Sequence, residues 1–165
     1  MPPSASSDAF RRIMRRVPSP VTIVTCSAEG DRYGMTAGSF TSVSLEPPLV
    51  SFNVTRGSGM YGVIGRAERC AIHLLREEQV DLAHRFARSD LSGEEQFEGI
   101  AHGEARGVPL IPDTLGILET TIEAEHEAGD TALFIARVER IRDLDPGGPL
   151  LYFSSSYRRV GEVSE

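Results

Sequence analysis

The chain has 165 residues, a formal net charge of −7, 40% apolar residues and 25% charged residues. This length suits one domain with a packed core, so we expect residues 1–165 to form a single domain with flexible tails at 1–7 and 161–165. All 17 cationic residues are arginines, and the chain has no lysine. The missing ε-amine excludes a Schiff-base aldolase, a pyridoxal phosphate enzyme and a Walker P-loop protein.

Charge and hydropathy also restrict the partners and the compartment. An acidic chain lacks the basic face that neutralises phosphates, so we expect no nucleic-acid partner. Its longest apolar runs are about six residues, against roughly 20 needed to cross a bilayer, so we expect no membrane segment. The N-terminal residues lack the apolar centre of a signal peptide, and Cys26 and Cys70 stand singly in strand-like segments. These features predict a cytoplasmic protein with two buried, reduced thiols.

The first half of the chain predicts a helix, four strands and a second helix. Apolar residues at helical spacing predict an amphipathic helix over residues 8–17, with Ser7 or Asp8 as its N-cap and two prolines at its end. Four later runs are β-branched or apolar and predict strands: residues 21–26, 33–40, 49–54 and 69–75. Residues 78–87 again show helical spacing.

The second half begins with a long irregular stretch. Residues 88–113 contain four glycines and two prolines with little periodicity, which predicts a functional or mobile loop. Strict alternation predicts a half-buried strand over residues 118–126, and residues 131–141 return as its hairpin partner. A small chain with this many strands usually hides its edges by closing the sheet. We therefore predict a mainly β fold: a six- to seven-stranded antiparallel β-barrel with two or three short helices.

Residues 57–62 match the pattern G-x-G-x-x-G directly after a predicted strand. This pattern is typical of a Rossmann dinucleotide site, but the surrounding elements do not alternate as a doubly wound sheet requires. A simpler interpretation is an anion site. Thr55, Ser58 and free backbone N–H groups at a helix start would bind a phosphate beside Arg56.

Residues 34–44 hold two glycines, two threonines and three serines between two strands. Small hydroxyl residues let backbone groups approach a planar polar ligand closely. Composition alone favours an exposed Ser/Thr strand, and a ligand-binding ribbon is the alternative.

The histidines and cysteines offer little evidence of a metal site. Cys70 and His73 have ligand-like spacing, but a metal needs three or four converging ligands, so we predict core residues and no metal. His126 shares a predicted face with Leu118 and Ile122 and is either an interior histidine or a site residue. No G-x-S-x-G motif or isolated acid pair supports a serine hydrolase or a glycosidase.

Longer segments resemble the flavin reductase-like family over roughly residues 8–160. They occur in the family's order: FRRIMRRVPSPVTIVT, GMTAGSFTSVSLEPPLVSFNV, LAHRFA, EAGD and PLLYFSSSY. The resemblance implies an FMN-binding split barrel that forms a homodimer with the flavin near the subunit interface. It also implies an NAD(P)H:flavin oxidoreductase that uses FMN or FAD, with NADH or NADPH as co-substrate, and that supplies reduced flavin to a partner monooxygenase.

Carried over position by position, the resemblance implies flavin contacts in three segments. The segment along the isoalloxazine ring comprises Met35, Thr36, Ala37, Ser39 and Thr41. The segment toward the ribityl chain and phosphate comprises Asn53, Val54, Thr55 and Ser58. The segment near the phosphate or adenylate end comprises Phe86, Ala87 and Arg88.

One departure from the family concerns the nicotinamide side of the flavin. The family carries Gly-Asp-His where this chain has Gly129-Asp130-Thr131, so Thr131 and His126 are the nicotinamide-side candidates and no catalytic residue is assigned. Hydride transfer to a flavin needs no protein nucleophile, which fits the lack of a catalytic dyad. The departure also leaves open a flavin-binding electron carrier or flavin-retaining oxygenase that does not use nicotinamide. A third possibility is a barrel without catalytic function.

Overall fold

The computed structural model describes residues 4–143 and 146–161, and within these it has four helices and twelve strands. The helices are α1 (Ser7–Met14), α2 (Gly59–Ile64), α3 (Val80–Ala87) and α4 (Gly93–Phe97). The strands are β1 (Ser19–Pro20), β2 (Thr22–Ala28), β3 (Asp31–Ala37), β4 (Thr41–Leu45), β5 (Pro48–Thr55), β6 (Arg69–Leu74), β7 (Gly103–Ala105), β8 (Val108–Leu110), β9 (Gly116–Ala128), β10 (Thr131–Asp143), β11 (Leu150–Phe153) and β12 (Ser156–Arg159). Of the predicted tails, residues 1–3 and 162–165 lie outside the described residues, while Ser7 begins α1.

Seven antiparallel strands form the main sheet in the order β3-β2-β6-β9-β10-β5-β4. Only residues 38–40 join its two edge strands, β3 and β4, and such a link spans at most about 15 Å. The sheet must therefore curl until its edges come close without pairing to each other. This is the split β-barrel that the sequence predicted.

An apolar core fills the inside of the barrel. The rings of Phe52 and Phe134 stack with their centroids 5.7 Å apart and share this core with Val24 and Ile72. Residues of β5 alternate between the core and the surface, as expected for a sheet with one buried face. This alternation places Val54 in the core with 1% of its surface exposed.

The long β9–β10 hairpin is confirmed, but burial along β9 departs from the predicted alternation. Two register shifts interrupt its pairing with β10, and such bulges change which face a side chain occupies. Ile117 and Glu119 are buried; Ile117 packs beneath the β7–β8 hairpin, and Glu119 accepts from Arg142 at 2.5 Å. His126 lies opposite Leu133 with its side chain exposed, so it is not an interior histidine.

The predicted loop over residues 88–113 contains short elements that show no period in the sequence. A capping box starts α4: the Ser92 hydroxyl accepts from the Glu95 N–H, and the Glu95 carboxylate accepts from the Ser92 N–H at 2.7 Å. The β7–β8 hairpin packs against Ala71 and Ile117.

The N-cap of α1 also differs from the prediction, because the Ser6 hydroxyl, not Ser7 or Asp8, accepts from the Ala9 N–H.

The interior thiols and histidine are core residues, as predicted. Cys26 and Cys70 are free and buried, and burial raises the pKa of the Cys70 thiol to about 12. His73 is fully buried between two backbone groups, with Nδ1 2.9 Å from the Ile23 carbonyl and Nε2 accepting from the Ile111 N–H at 3.0 Å. Within the described ranges there is no group of His, Cys, Asp or Glu that could hold a metal ion.

A second, three-stranded sheet in the order β1-β11-β12 lies beside the barrel. The Ser154 N–H on its β11–β12 turn donates to the Arg15 carbonyl just after α1. None of the residues of α1 is buried, so its apolar side chains Phe10, Ile13 and Met14 face solvent. Across the described part of the chain, no helix is long and apolar enough to cross a membrane.

Candidate functional site

A cleft of about 510 Å³ opens at the β3 edge of the barrel. Its lining comes from three parts of the chain: residues 33–39 on β3 and the link after it, residues 53–60 at the junction of β5 and α2, and residues 86–89 at the end of α3. Residues 54 and 56 are not part of the lining. A volume of this size is typical of a small-molecule or cofactor site.

The β3 side of the cleft includes backbone groups as well as the residues Tyr33 and Met35. Since β3 is an edge strand, every second residue directs its N–H and C=O away from the sheet. At Gly34 those groups bond to the buried amide of Gln96, with Gly34 N–H donating at 3.0 Å and the Gln96 amide donating back at 2.8 Å. By the same alternation, the backbone groups of Thr36, a residue of the cleft lining, point away from the sheet.

Helix α3 is fixed against β3 by side-chain contacts. The Thr36 hydroxyl donates to the Ala83 carbonyl at 2.7 Å. A Cβ at Gly34 would lie 2.6 Å from the Phe86 ring, so only glycine allows this close approach of strand and helix. Phe86 in turn packs edge-on against Phe97 of α4 with 5.2 Å between ring centroids. These contacts fix the distance between β3 and α3, which both line the cleft.

The opposite wall is built on the turn from β5 into α2. Gly57 has a positive φ of 81°, the conformation that favours glycine. The Ser58 hydroxyl caps α2 by accepting from the Tyr61 N–H at 3.2 Å. A Cβ at Gly59 would lie 2.7 Å from the Tyr33 ring, so the start of α2 and the Tyr33 side chain meet at a glycine. The glycines that the sequence pattern shows at residues 57 and 59 thus shape the cleft.

The split between the barrel edges is bridged at the cleft. The Asn53 N–H on β5 donates to the Ser39 hydroxyl at 2.9 Å. Ser39 belongs to the link between β3 and β4, so this bond connects that link to β5. The hydroxyl-rich ribbon is therefore part of a cavity lining, which favours the ligand-binding interpretation of the segment over an idle surface strand.

Arg88 is the only charged residue among the described residues of the lining. Its guanidinium makes two bonds to the Asp90 carboxylate, at 3.1 Å and 2.6 Å. This pair raises the pKa of Arg88 and lowers the pKa of Asp90. Arg56 was predicted beside the anion site, but it pairs with Glu127 at 2.9 Å and does not line the cleft. The cation available to an anionic ligand is thus Arg88.

The structure brings most of the predicted flavin contacts together. Those that line the cleft are Met35, Thr36, Ala37, Ser39, Asn53, Thr55, Ser58, Phe86, Ala87 and Arg88. Thr41 lies on β4 opposite Ser51, outside the lining, and Val54 lies in the core. The nicotinamide-side candidates are not in the lining: His126 is exposed on β9, and Thr131 begins β10 directly opposite Thr55.

Sequence reasoning missed Tyr33 and Gln96. The Tyr33 hydroxyl donates to the Leu91 carbonyl at 3.1 Å, and burial raises the pKa of this phenol. Both residues form hydrogen bonds with partners about 60 positions away in the chain, so no local sequence pattern indicated them. The only available signal was that Tyr33 directly precedes the hydroxyl-rich ribbon.

A larger cavity of about 640 Å³ lies between the β2–β3 turn and the β7–β8 hairpin. Many of its charged side chains pair with each other: Arg66 with Glu29 and Asp31, and Arg32 with Glu94. None of the predicted site residues line it. The smaller cleft at β3 is therefore the better candidate.

The comparisons with known proteins agree on one family. Residues 14–161 match the family described as flavin reductase like domain. The NADH:FMN oxidoreductase of Rhodococcus qingshengii is 38% identical over 156 residues, which cover 91% of this chain and 80% of that protein. The reductase component of 4-hydroxyphenylacetate 3-monooxygenase from Thermus thermophilus is 34% identical over 153 residues, which cover 93% of this chain and 96% of that protein.

A solved structure extends the likeness to three dimensions. It is the NADH:FAD oxidoreductase of Streptomyces globisporus in complex with NAD and FAD fragments. The two chains align with a TM-score of 0.87 and 31% identity, over 96% of this chain and 94% of the other.

Proposed function

The chain belongs to the flavin reductase-like domain family, and we propose that it is an NAD(P)H:flavin oxidoreductase that transfers hydride to FMN or FAD. The observation that carries the proposal is the cleft at the β3 edge, where backbone groups, hydroxyls and one arginine line about 510 Å³. The relatives support the same chemistry, because proteins 34–38% identical to this chain are an NADH:FMN oxidoreductase and the reductase component of a monooxygenase.

The lining fits a flavin in shape and in chemistry. Glycine at Gly34 and Gly59 lets the Phe86 and Tyr33 rings pack directly on the backbone, and both rings line the cleft. Outward-facing backbone groups of β3 can donate to and accept from the polar edge of a pyrimidine-type ring. The Arg88 guanidinium at the far end suits a phosphate.

We therefore assign the ring to Met35, Thr36, Ala37 and Ser39, and the phosphate to Ser58 and Arg88. Asn53 and Thr55, which lie between these two groups along β5, are assigned to the ribityl hydroxyls. Phe86 and Ala87 form the α3 wall against the bound molecule. Thr41 and Val54 have no direct role in this assignment, because neither lines the cleft.

A bound flavin supplies the chemistry, since its ring system accepts the hydride of a reduced nicotinamide. The protein holds the two rings in contact and limits the access of water. The outward-pointing backbone N–H of Thr36 would stabilise negative charge on a reduced flavin ring. None of these tasks needs a nucleophilic side chain, in keeping with a lining of neutral residues beside a single arginine.

Thr131 lies at the edge of this site. It is the direct partner of the cleft residue Thr55 across the β5–β10 ladder. Its hydroxyl donates to the Ala128 carbonyl at 3.0 Å, and the Arg56 N–H fixes the same turn by donating to the Asp130 carbonyl. Because paired residues lie on the same face of a sheet, a longer side chain at position 131 would lie beside Thr55, whereas His126 is exposed on β9. We assign the nicotinamide side to position 131.

The test of the function is flavin-stimulated oxidation of NADH or NADPH by the purified protein, followed as loss of nicotinamide absorbance. We expect turnover with FMN or FAD, and a gain in kcat/KM for the nicotinamide of about 2- to 10-fold in Thr131→His, the range of one hydrogen bond. No flavin-dependent oxidation with either nicotinamide would reject the reductase. A tightly held flavin without turnover would instead favour the carrier or oxygenase alternative.

The relatives also indicate which kind of enzyme uses the reduced flavin. One of them is the reductase component of a two-component monooxygenase, and we propose that this chain likewise supplies reduced flavin to a monooxygenase. An open cleft at a sheet edge suits release of a weakly bound product.

We further propose that residues 1–165 form one domain of a cytoplasmic homodimer. Large apolar side chains are exposed on α1 and β4, with 60% of Phe10, 57% of Ile13 and 85% of Leu45 accessible. Covering these side chains by a second copy removes apolar surface from water. Two free, buried cysteines suit a reducing compartment.

A further inference from the structure

A smaller cavity of about 260 Å³ adjoins the cleft, and we call it the tyrosine pocket because Tyr152 and Tyr157 form one side of it. Both tyrosines belong to the segment PLLYFSSSY, which has no role in the flavin assignment. Ser19, Tyr152 and Tyr157 form one row across the three-stranded sheet: Ser19 pairs with Tyr152, and Tyr152 with Tyr157. Directly opposed residues lie on the same face of a sheet, so both rings face one cavity.

The tyrosine pocket and the cleft share a wall. Thr36, Ala37, Gly38 and Ala87 line both cavities. Three of these four residues have a methyl group or no side chain at all, so only small side chains separate the two cavities. A ligand that fills the cleft and continues past this wall enters the tyrosine pocket.

The rings of Tyr152 and Tyr157 differ in how tightly they are packed. Tyr157 is anchored: it packs against the core around Phe86 and meets the His84 ring of α3 edge-on, with 4.9 Å between centroids. Tyr152 packs against Tyr157 at 5.2 Å and keeps 41% of its surface exposed. One anchored ring thus supports a second ring whose face is free to stack.

The chemistry of the pocket identifies the kind of group it takes. All nine of the described residues that line it are uncharged, so it offers no cation to a phosphate or a carboxylate. An aromatic face in a neutral cavity suits a neutral planar ring, and aromatic side chains bind nucleobases by stacking. The flavin ring is already assigned to the cleft.

From these observations we propose that Tyr152, supported by Tyr157, binds the adenine base of a dinucleotide whose reactive half occupies the cleft. The inference rests on the proposed reductase function. Both NADH and FAD carry adenine, and the experiment below distinguishes these two sources.

The experiment compares dinucleotides with their mononucleotide counterparts in Tyr152→Ala. The readouts are two ratios of kcat/KM: NADH to reduced nicotinamide mononucleotide, and FAD to FMN. We expect one ratio to fall about tenfold, the scale of one lost base–aromatic stack. A fall in the first ratio assigns the adenine to NADH, and a fall in the second assigns it to FAD. Tyr152→Phe, which keeps the ring, should restore most of the wild-type ratio.

Phe153→Ala is the matched control, because Phe153 is the next residue on β11, is 37% exposed and does not line the tyrosine pocket. It should leave both ratios within twofold of wild type. The proposal is overturned if neither ratio changes in Tyr152→Ala, or if dinucleotide and mononucleotide rates fall equally, since the tyrosine would then support only the fold or the cleft.

A second measurement separates failure of this inference from failure of the proposed function. Wild-type protein that oxidises no nicotinamide with any flavin would refute the reductase, and calorimetric titration with AMP still tests the pocket. We expect AMP to bind wild type and Phe153→Ala, and to bind Tyr152→Ala about tenfold more weakly. Equal AMP affinity in all three proteins, or no binding to wild type, would overturn the proposal.

Discussion

The side chain of Gln96 and the backbone of Gly34 form a closed pair of hydrogen bonds, 3.0 Å and 2.8 Å long, across 62 positions of the chain. Gln96 is fully buried, so this pair satisfies both polar groups of an edge-strand residue that no neighbouring strand covers. It ties α4 to β3 at the point where the cleft begins.

Replacing Gln96 with alanine should therefore lower the free energy of unfolding by about 2–4 kcal/mol, since two buried backbone groups lose their partners and a cavity remains. Urea denaturation measures this loss. Glu98→Ala is the control, because that exposed side chain follows α4 and makes no described contact. A loss below about 0.5 kcal/mol in Gln96→Ala, within the range of surface substitutions, would contradict the role given to the pair.

Two glycines of α2 provide a matched test of the cleft wall. A Cβ at Gly59 would lie 2.7 Å from the Tyr33 ring, whereas a Cβ at Gly62 meets nothing within 4 Å. Gly59→Ala should cost about 1–3 kcal/mol of stability through overpacking and weaken FMN binding, because either Tyr33 or the start of α2 must move. Gly62→Ala should gain about 0.5–1 kcal/mol by helix propensity and keep the affinity for FMN.

Denaturation and FMN titration of both variants decide this prediction. Equal FMN affinity in Gly59→Ala and Gly62→Ala would show that the contact between Tyr33 and α2 does not shape the flavin site.

Arg88 should distinguish phosphorylated from unphosphorylated flavin. Arg88→Ala is expected to weaken FMN binding about tenfold, the low end for a charge-assisted hydrogen bond that competes with Asp90. Riboflavin, which has no phosphate, should bind equally well before and after the change. Asp90→Asn should act oppositely and strengthen FMN binding, because it releases the guanidinium from its carboxylate partner.

Calorimetric titration with the two ligands measures these effects, with the exposed Arg158→Ala as the control. If Arg88→Ala weakens riboflavin and FMN to the same extent, the phosphate does not lie at Arg88.

The buried His73 should make stability depend on pH. Burial lowers its pKa from 6.5 to about 4, partly offset by its bond to Ile23. Between these two values the unfolded chain binds a proton that the folded protein does not, so acid favours unfolding. The contribution of His73 is complete above pH 6.5 and is lost as the pH falls to about 4, a change of about 3 kcal/mol.

Urea denaturation of wild type and His73→Gln between pH 7 and about pH 4 isolates this contribution. The variant should lack that part of the pH dependence, while His126→Gln, which changes an exposed histidine of the same sheet, should keep it. A variant whose stability declines with acid as steeply as wild type would contradict the linkage.

Local patterns predicted the elements whose burial repeats along the chain. The apolar run at residues 49–54 correctly predicted β5. Thr36 and Ser39, which the resemblance implied as flavin contacts, line the cleft. Of the two interpretations of His126, the interior histidine was wrong, because a bulge has no signal in an alternating pattern. Elements of three to five residues, such as α4 and β7, are too short to show a period.

The resemblance predicted more of the site than periodicity did, yet it did not indicate the contacts between distant segments. Gln96 meets Gly34, and Tyr33 meets the start of α2, only after the sheet has curled. Ser19, Tyr152 and Tyr157 become one row through strand register, which separate segments of sequence do not encode visibly. Such contacts depend on tertiary packing, so local sequence patterns could not predict them.

The most direct test of the account is a crystal structure of the protein with FMN. The account predicts the isoalloxazine ring against residues 35–39, with the phosphate at Ser58 and Arg88. A flavin found elsewhere, such as in the charged cavity beside the β7–β8 hairpin, or a β3 cleft that stays free of FMN at saturating concentration, would contradict it.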